Sequence, residues 1–193
     1  MATSNPEGLR RHLPSLSFVV VVTIVLVFGL GAFVVSGVYN IAADAHHTAP
    51  VYWTMETLRD RSIAAHARGV RVPRDLNSPQ RISVGAGLYA GMCVSCHLGP
   101  GVEPTEISQG LYPAAPRLSL ASDKSPAEQF WMIKHGVKMS AMPAWGRTHS
   151  DTLMWDMVAF VQTLPHLSAS QYAATIKAAP VDHDEMMAGD NKK

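Results

Sequence analysis

The sequence predicts an all-α chain, with one N-terminal transmembrane helix followed by a small helical domain. Three observations predict it. Residues 18–38 form a single uncharged apolar block. Downstream, helix start signals (Ser78-Pro79, Ser125-Pro126, Ser150-Asp151) precede segments with helical apolar spacing. No segment shows the strict alternation of a half-buried strand.

Composition narrows the classes first. The chain has 193 residues with 16 Lys+Arg against 15 Asp+Glu, a formal charge of +1, and 16% charged residues. An ordinary soluble domain has roughly a quarter charged residues. Near-neutral charge argues against a nucleic-acid partner, which calls for a basic excess. Hydrophobic residues reach 47% while mean hydropathy is only +0.06, so the apolar excess is concentrated locally. Two cysteines are too few for a disulfide scaffold or a four-cysteine zinc site.

The excess lies in Phe18–Val38. A helix of that length spans about 31 Å, the thickness of a bilayer's hydrocarbon core. Nothing else in the chain is apolar enough to bury it as a core helix. A cleaved signal peptide is the rival, with Ala43-Asp44-Ala45 as its cleavage site, but such apolar regions usually run 7–15 residues. An uncleaved anchor is the expectation. Arg10 and Arg11 precede the block and Asp44 is the first charge after it. The positive-inside tendency then places residues 1–17 in the cytoplasm and the chain beyond the anchor in the periplasm. Tyr39 follows where aromatic rings settle among headgroups. Membrane lipid is thus one expected partner.

Residues 50–68 predict a helix, read either as lying on the following domain or as docking against a partner or the bilayer surface. Arg71–Asn77 reads as a linker, and residues 39–78 together as periplasmic helix and linker. Further helices are expected over about Gln80–Cys93, from Pro126 to near Gly136, and from Asp151 to about Leu164. Ser125 and Glu128 form a capping box around Pro126. A long Gly/Pro-bearing loop, Leu98–Ala121, carries a short helical turn near Leu111-Tyr112.

The strongest motif is Cys93-Val94-Ser95-Cys96-His97. Two thiols three positions apart on one turn can each add to a vinyl group of one haem, and the adjacent histidine becomes its proximal ligand. A thioredoxin-like redox pair calls for a βαβ setting, and a zinc site for a second ligand pair. Neither is evident.

With this motif the chain resembles the class I c-type cytochromes, in particular single-haem domains tethered to a bacterial inner membrane. The resemblance spans about residues 79–167. It is carried by Gly85-x3-Tyr89-x3-Cys93-x2-Cys96-His97, then Gly99-Pro100-Gly101, then Ile133-Lys134-x-Gly136 and Met142-Pro143-Ala144-Trp145-Gly146. It implies one covalent haem c and a helical haem domain. It also implies that the carbonyl of Pro100 accepts a hydrogen bond from the His97 imidazole, and that Gly85 and Tyr89 mark a helix crossing. There Tyr89 would meet Phe160 or Trp155. Trp145 is expected beside the haem or as a plain core tryptophan.

What fills the sixth iron position decides function, since a thioether there gives an electron carrier. Met132, Met154 and Met157 fall inside helices, where packing explains them. Met139 and Met142 share one loop. Pro143 holds the residue before it extended, and the family pattern places the axial methionine directly before such a proline, so Met142 is chosen, with Met139 as competitor. His135 and His149 are weaker candidates. The expected function is a membrane-anchored, non-enzymatic carrier passing single electrons between redox proteins of a respiratory chain. The alternatives are a haem enzyme or gas sensor with a displaceable sixth ligand, and a tethered thiol–disulfide protein. The domain carries six basic and six acidic residues, so no one-sign docking field is expected. His46-His47 and Asp182–Met187 invite a metal reading, but they offer too few convergent ligands. Solvated termini are expected, with residues 168–193 a flexible tail.

Overall fold

The computed structural model describes residues 14–120 and 122–180. Among them there are eight α-helices and no strand. The chain divides into two units between Ala45 and His46.

The first unit is built on α1 (Leu16–Ser36), 21 residues. It is long and apolar enough to cross a membrane. Its bounds sit two residues before the expected 18–38. Ser15 starts it by accepting a hydrogen bond from the Phe18 amide, and Gly37, at φ 66°, ends it. Arg10 and Arg11, and the tail Asp182–Met187, lie outside the described residues.

The second unit holds α2 (Ala49–Ala67), α3 (Pro79–Met92), α4 (Val94–His97), α5 (Glu106–Gly110), α6 (Pro126–His135), α7 (Asp151–Thr163) and α8 (Ala169–Ala178). The expected cap residues start α3, α6 and α7: Ser78, Ser125 and Ser150 each accept from a backbone amide three residues on. At α6 the capping box closes as expected, with the Glu128 carboxylate accepting from the Ser125 amide at 2.8 Å.

The centre of the unit is the crossing of α3 and α7. A Cβ at Gly85 would fall 1.9 Å from the Asp156 carbonyl oxygen and 2.9 Å from Phe160 Cβ. Only a residue without a side chain allows this approach. Beside it, Arg81 of α3 donates to the Asp156 carboxylate at 2.6 Å and to Asp75 at 3.0 Å. One turn on, Tyr89 and Phe160 pack at 5.3 Å between ring centroids, so of the two expected partners Phe160 is the one met. Trp155 instead stacks on Phe130 of α6 at 4.2 Å.

Three expectations are corrected here. Residues 168–193 do not begin as a flexible tail. Ser168 and Gln171 form a capping box, and α8 buries Tyr172 in the cluster that holds Tyr89 and Phe160. The short helix of the long loop is at Glu106–Gly110, not Leu111-Tyr112, because Thr105 caps it from its own N-terminus and Leu111 is extended. The Arg71–Asn77 segment is more than a linker, since Leu76 is buried against Phe130 and Trp155.

The pair His46-His47, expected in a solvated stretch, packs on Tyr112. The His47 amide donates to the Tyr112 hydroxyl at 2.9 Å, and the rings of His46 and His47 lie 4.9 and 5.3 Å from that of Tyr112. Helix α2 lies on the domain through its second half, where Ile63 and Ala67 are buried.

Candidate haem-binding site

The attachment motif continues directly from the central crossing. Helix α3 ends at Met92, and the Cys93 amide still bonds to the Tyr89 carbonyl at 2.9 Å. The next turn, α4, closes with the amides of Cys96 and His97 on the Cys93 carbonyl at 3.2 and 2.9 Å. Cys93, Cys96 and His97 therefore share one helical turn seated on the buried core, with Cys93 and Val94 packed against the Tyr89–Phe160 cluster. Two side-chain bonds fix the turn from outside. The Tyr89 hydroxyl donates to the Leu98 carbonyl, and the Thr105 hydroxyl to the Ser95 carbonyl. Tyr89 is wholly buried and thus braces the motif from beneath.

Both cysteines are free thiols. Desolvation, reinforced by the neighbouring Cys96, pushes the Cys93 thiol up to about 12. A disulfide-exchange cysteine needs the opposite, a lowered pKa that supplies thiolate at neutral pH. Burial of this thiol counts against the thiol–disulfide reading.

His97 Nδ1 lies 2.8 Å from the carbonyl oxygen of Pro116. A carbonyl can only accept, so Nδ1 carries the proton and the Nε2 lone pair is left for a metal. Burial holds the imidazole below the usual histidine range, with the Pro116 bond pulling the other way. Burial thus favours the neutral ring that metal binding requires. The acceptor is a correction, because the expected partner was Pro100. Pro116 sits nineteen residues beyond the ring, in a loop with no local pattern that points back to it. Pro100 instead lies in a tight turn, where the Val102 amide bonds to the Gly99 carbonyl at 3.0 Å.

The methionine loop joins α6 to α7. Gly136, at φ 67°, ends α6, and a Cβ there would fall 2.7 Å from the Met142 carbonyl oxygen. That close approach lets the Val137 amide bond to the same carbonyl at 3.2 Å, while the Met142 amide bonds to the Ser140 hydroxyl at 3.2 Å. The loop is thus a closed backbone ring. Its two methionines diverge: Met142 is half-buried, whereas Met139 has a φ of 59° and is 81% exposed.

The other candidates have packing partners. Met154 and Met157 are buried in separate apolar clusters. His149 is buried with Nδ1 2.8 Å from the Thr148 hydroxyl, and His135 lies against Trp131 at 4.9 Å. Trp145 is half-buried, packed against the Phe130–Trp155 cluster and edge-on to His149 at 5.5 Å.

Two free thiols and a neutral imidazole with an available Nε2, all on one turn, fit a haem c. Residues 80–161 match the family described as "Cytochrome C oxidase, cbb3-type, subunit III". The match covers fewer than half of the residues. Neither the curated proteins nor the solved structures contain a match to this chain. With the helical fold and the attachment turn, the match supports reading residues 80–161 as a class I c-type cytochrome domain, which implies haem c as cofactor and electron transfer as its chemistry.

Proposed function

We propose that the chain is a membrane-anchored carrier that moves single electrons between respiratory proteins on the periplasmic face of the inner membrane. In this reading α1 is the uncleaved anchor, with the residues before it cytoplasmic. Cys93 and Cys96 would hold one haem through two thioether bonds, and His97 Nε2 and the Met142 sulfur would ligate its iron. Haem c supplies a one-electron Fe(II)/Fe(III) couple.

The residues do the rest. Pro116 fixes the His97 tautomer and ring orientation through Nδ1 and raises the ring's basicity. A neutral thioether in the sixth position favours the reduced metal and keeps small molecules out. The observation that carries the reading is the engaged Nδ1 of His97 beside two free thiols on one turn. Met142 is preferred over Met139 because it is half-buried while Met139 stands in solvent.

The family description favours a permanent seat in an oxidase complex over a free shuttle. Solubilising native membranes and identifying what co-purifies separates those two roles.

The reading is tested by expressing the full chain with haem-maturation machinery. Expected are a haem stain that survives denaturing electrophoresis, a reversible one-electron titration, and no carbon monoxide binding by the reduced protein. A reduced protein that binds carbon monoxide readily overturns the carrier reading in favour of a haem enzyme or sensor.

A further inference from the structure

Helix α2 has two halves in different surroundings. In the second half Ile63 and Ala67 are buried. His66 lies 5.5 Å from Trp131, and Asp60 lies 3.7 Å from Lys124. The first half has no such cover. Tyr52, Trp53, Met55 and Leu58 are all exposed, Trp53 at 68% and Leu58 at 64%. At about 100° per residue, Tyr52, Met55 and Leu58 step round one side of the helix about 60° apart, while Trp53 lies about 100° or more from each of them. The apolar surface therefore wraps round the overhanging end instead of forming one face for one protein groove. A charged collar follows it, with Arg59 paired to Glu56 at 3.4 Å and to Asp60 at 3.0 Å.

The chain before this end restricts what can cover it. Only residues 37–48 separate α1 from α2, a span of at most about 43 Å when fully extended. A turn within it, Ala45 amide to Ala42 carbonyl at 3.0 Å, shortens the reach. From Leu16 to Met55 the sole charged residue is Asp44, so this stretch has little to hold it out in water. Aromatic rings with an apolar body and a polar tip are favoured at the bilayer's headgroup layer, and partly apolar helices bind there.

We propose that the first half of α2, through Tyr52, Trp53, Met55 and Leu58, seats in the headgroup layer of the bilayer that α1 crosses, fixing the height and tilt of the haem domain above it. This rests on α1 being an uncleaved anchor. Lipid is the occupant that the short connection, with Asp44 its sole charged residue, favours. A protein partner is the outcome that would displace it.

The test uses the full-length holoprotein in vesicles of zwitterionic and anionic phospholipid. A nitroxide is attached at Trp53→Cys, Leu58→Cys or, as a control on the exposed face of α8, Ala173→Cys. Label uptake by the unsubstituted protein is measured alongside, and is nil when Cys93 and Cys96 are both tied to haem. Relaxation by dissolved oxygen, which partitions into lipid, is compared with relaxation by a water-soluble nickel chelate. The expected result is an oxygen-to-nickel ratio several-fold higher at 53 and 58 than at 173. Equal ratios at all three positions overturn the proposal. So does protection from both reagents that occurs in native membranes and disappears in pure lipid, which assigns the surface to a protein. Release of the protein from vesicles by alkaline carbonate overturns the anchor reading, and this inference with it.

Discussion

The imidazole of His97 donates its Nδ1 proton to the carbonyl of Pro116 at 2.8 Å. This bond joins the attachment turn to a loop that is otherwise pinned by Leu118, packed against the Tyr89–Phe160 cluster, and by Tyr112 under His46 and His47. It makes the electron density on Nε2 depend on how firmly residue 116 is held. Pro116→Gly frees the backbone there and weakens the bond. A less basic imidazole stabilises ferric iron less, so the reduction potential rises. A hydrogen bond worth about 1 kcal/mol corresponds to about 40 mV in a one-electron couple, which bounds the shift. Potentiometric titration of both proteins checks the direction.

Gly85→Ala places a methyl group where the Asp156 carbonyl already sits. The α3–α7 crossing must open, and overpacking of this kind costs about 3 kcal/mol or more. Denaturant unfolding of the holoprotein is expected to show a lowered midpoint with the slope unchanged. A midpoint equal to that of the parent would contradict the close approach.

Removing α8 by a stop after Leu167 uncovers the cluster that Tyr172 completes. Truncating a buried aromatic residue costs about 3–5 kcal/mol, and Tyr172→Ala is expected in that range. Both changes are read by thermal unfolding. A truly flexible tail would leave the transition where it was.

Asp75 titrates below the usual carboxylate range because the Arg81 guanidinium bonds to it. A carboxylate depressed in the folded state contributes stability above its unfolded pKa and loses it as pH falls through the folded value. Asp75→Asn is therefore expected to be slightly less stable than the parent at neutral pH, with the difference shrinking once pH drops below about 4 and gone below the lowered folded value. Asp75 is solvent-exposed, so the effect is small. Unfolding curves of both proteins between neutral and acid pH check it.

Much of this architecture is legible because its signals are local. Ser78, Ser125 and Ser150 sit three residues from the amides they cap, so α3, α6 and α7 begin where their sequences say. The attachment motif is also a one-turn pattern, and the Gly85–Tyr89 spacing marks the crossing. What escapes is set by distant chain. Pro116 is recognisable as the acceptor only once the loop has folded back over nineteen residues. Helix α8 has a readable cap in Ser168 and Gln171, but its stability comes from burying Tyr172 beside Phe160, which lies at a distance no periodicity reveals. The linker likewise becomes core only when Leu76 meets Phe130 and Trp155.

The axial methionine is the centre of the account, and the methionine-sulfur charge-transfer band of the ferric protein tests it most directly. The band is expected in the parent and in Met139→Ala, and should be absent in Met142→Ala, whose iron then takes exogenous ligands. A band that survives Met142→Ala and disappears in Met139→Ala would contradict the assignment.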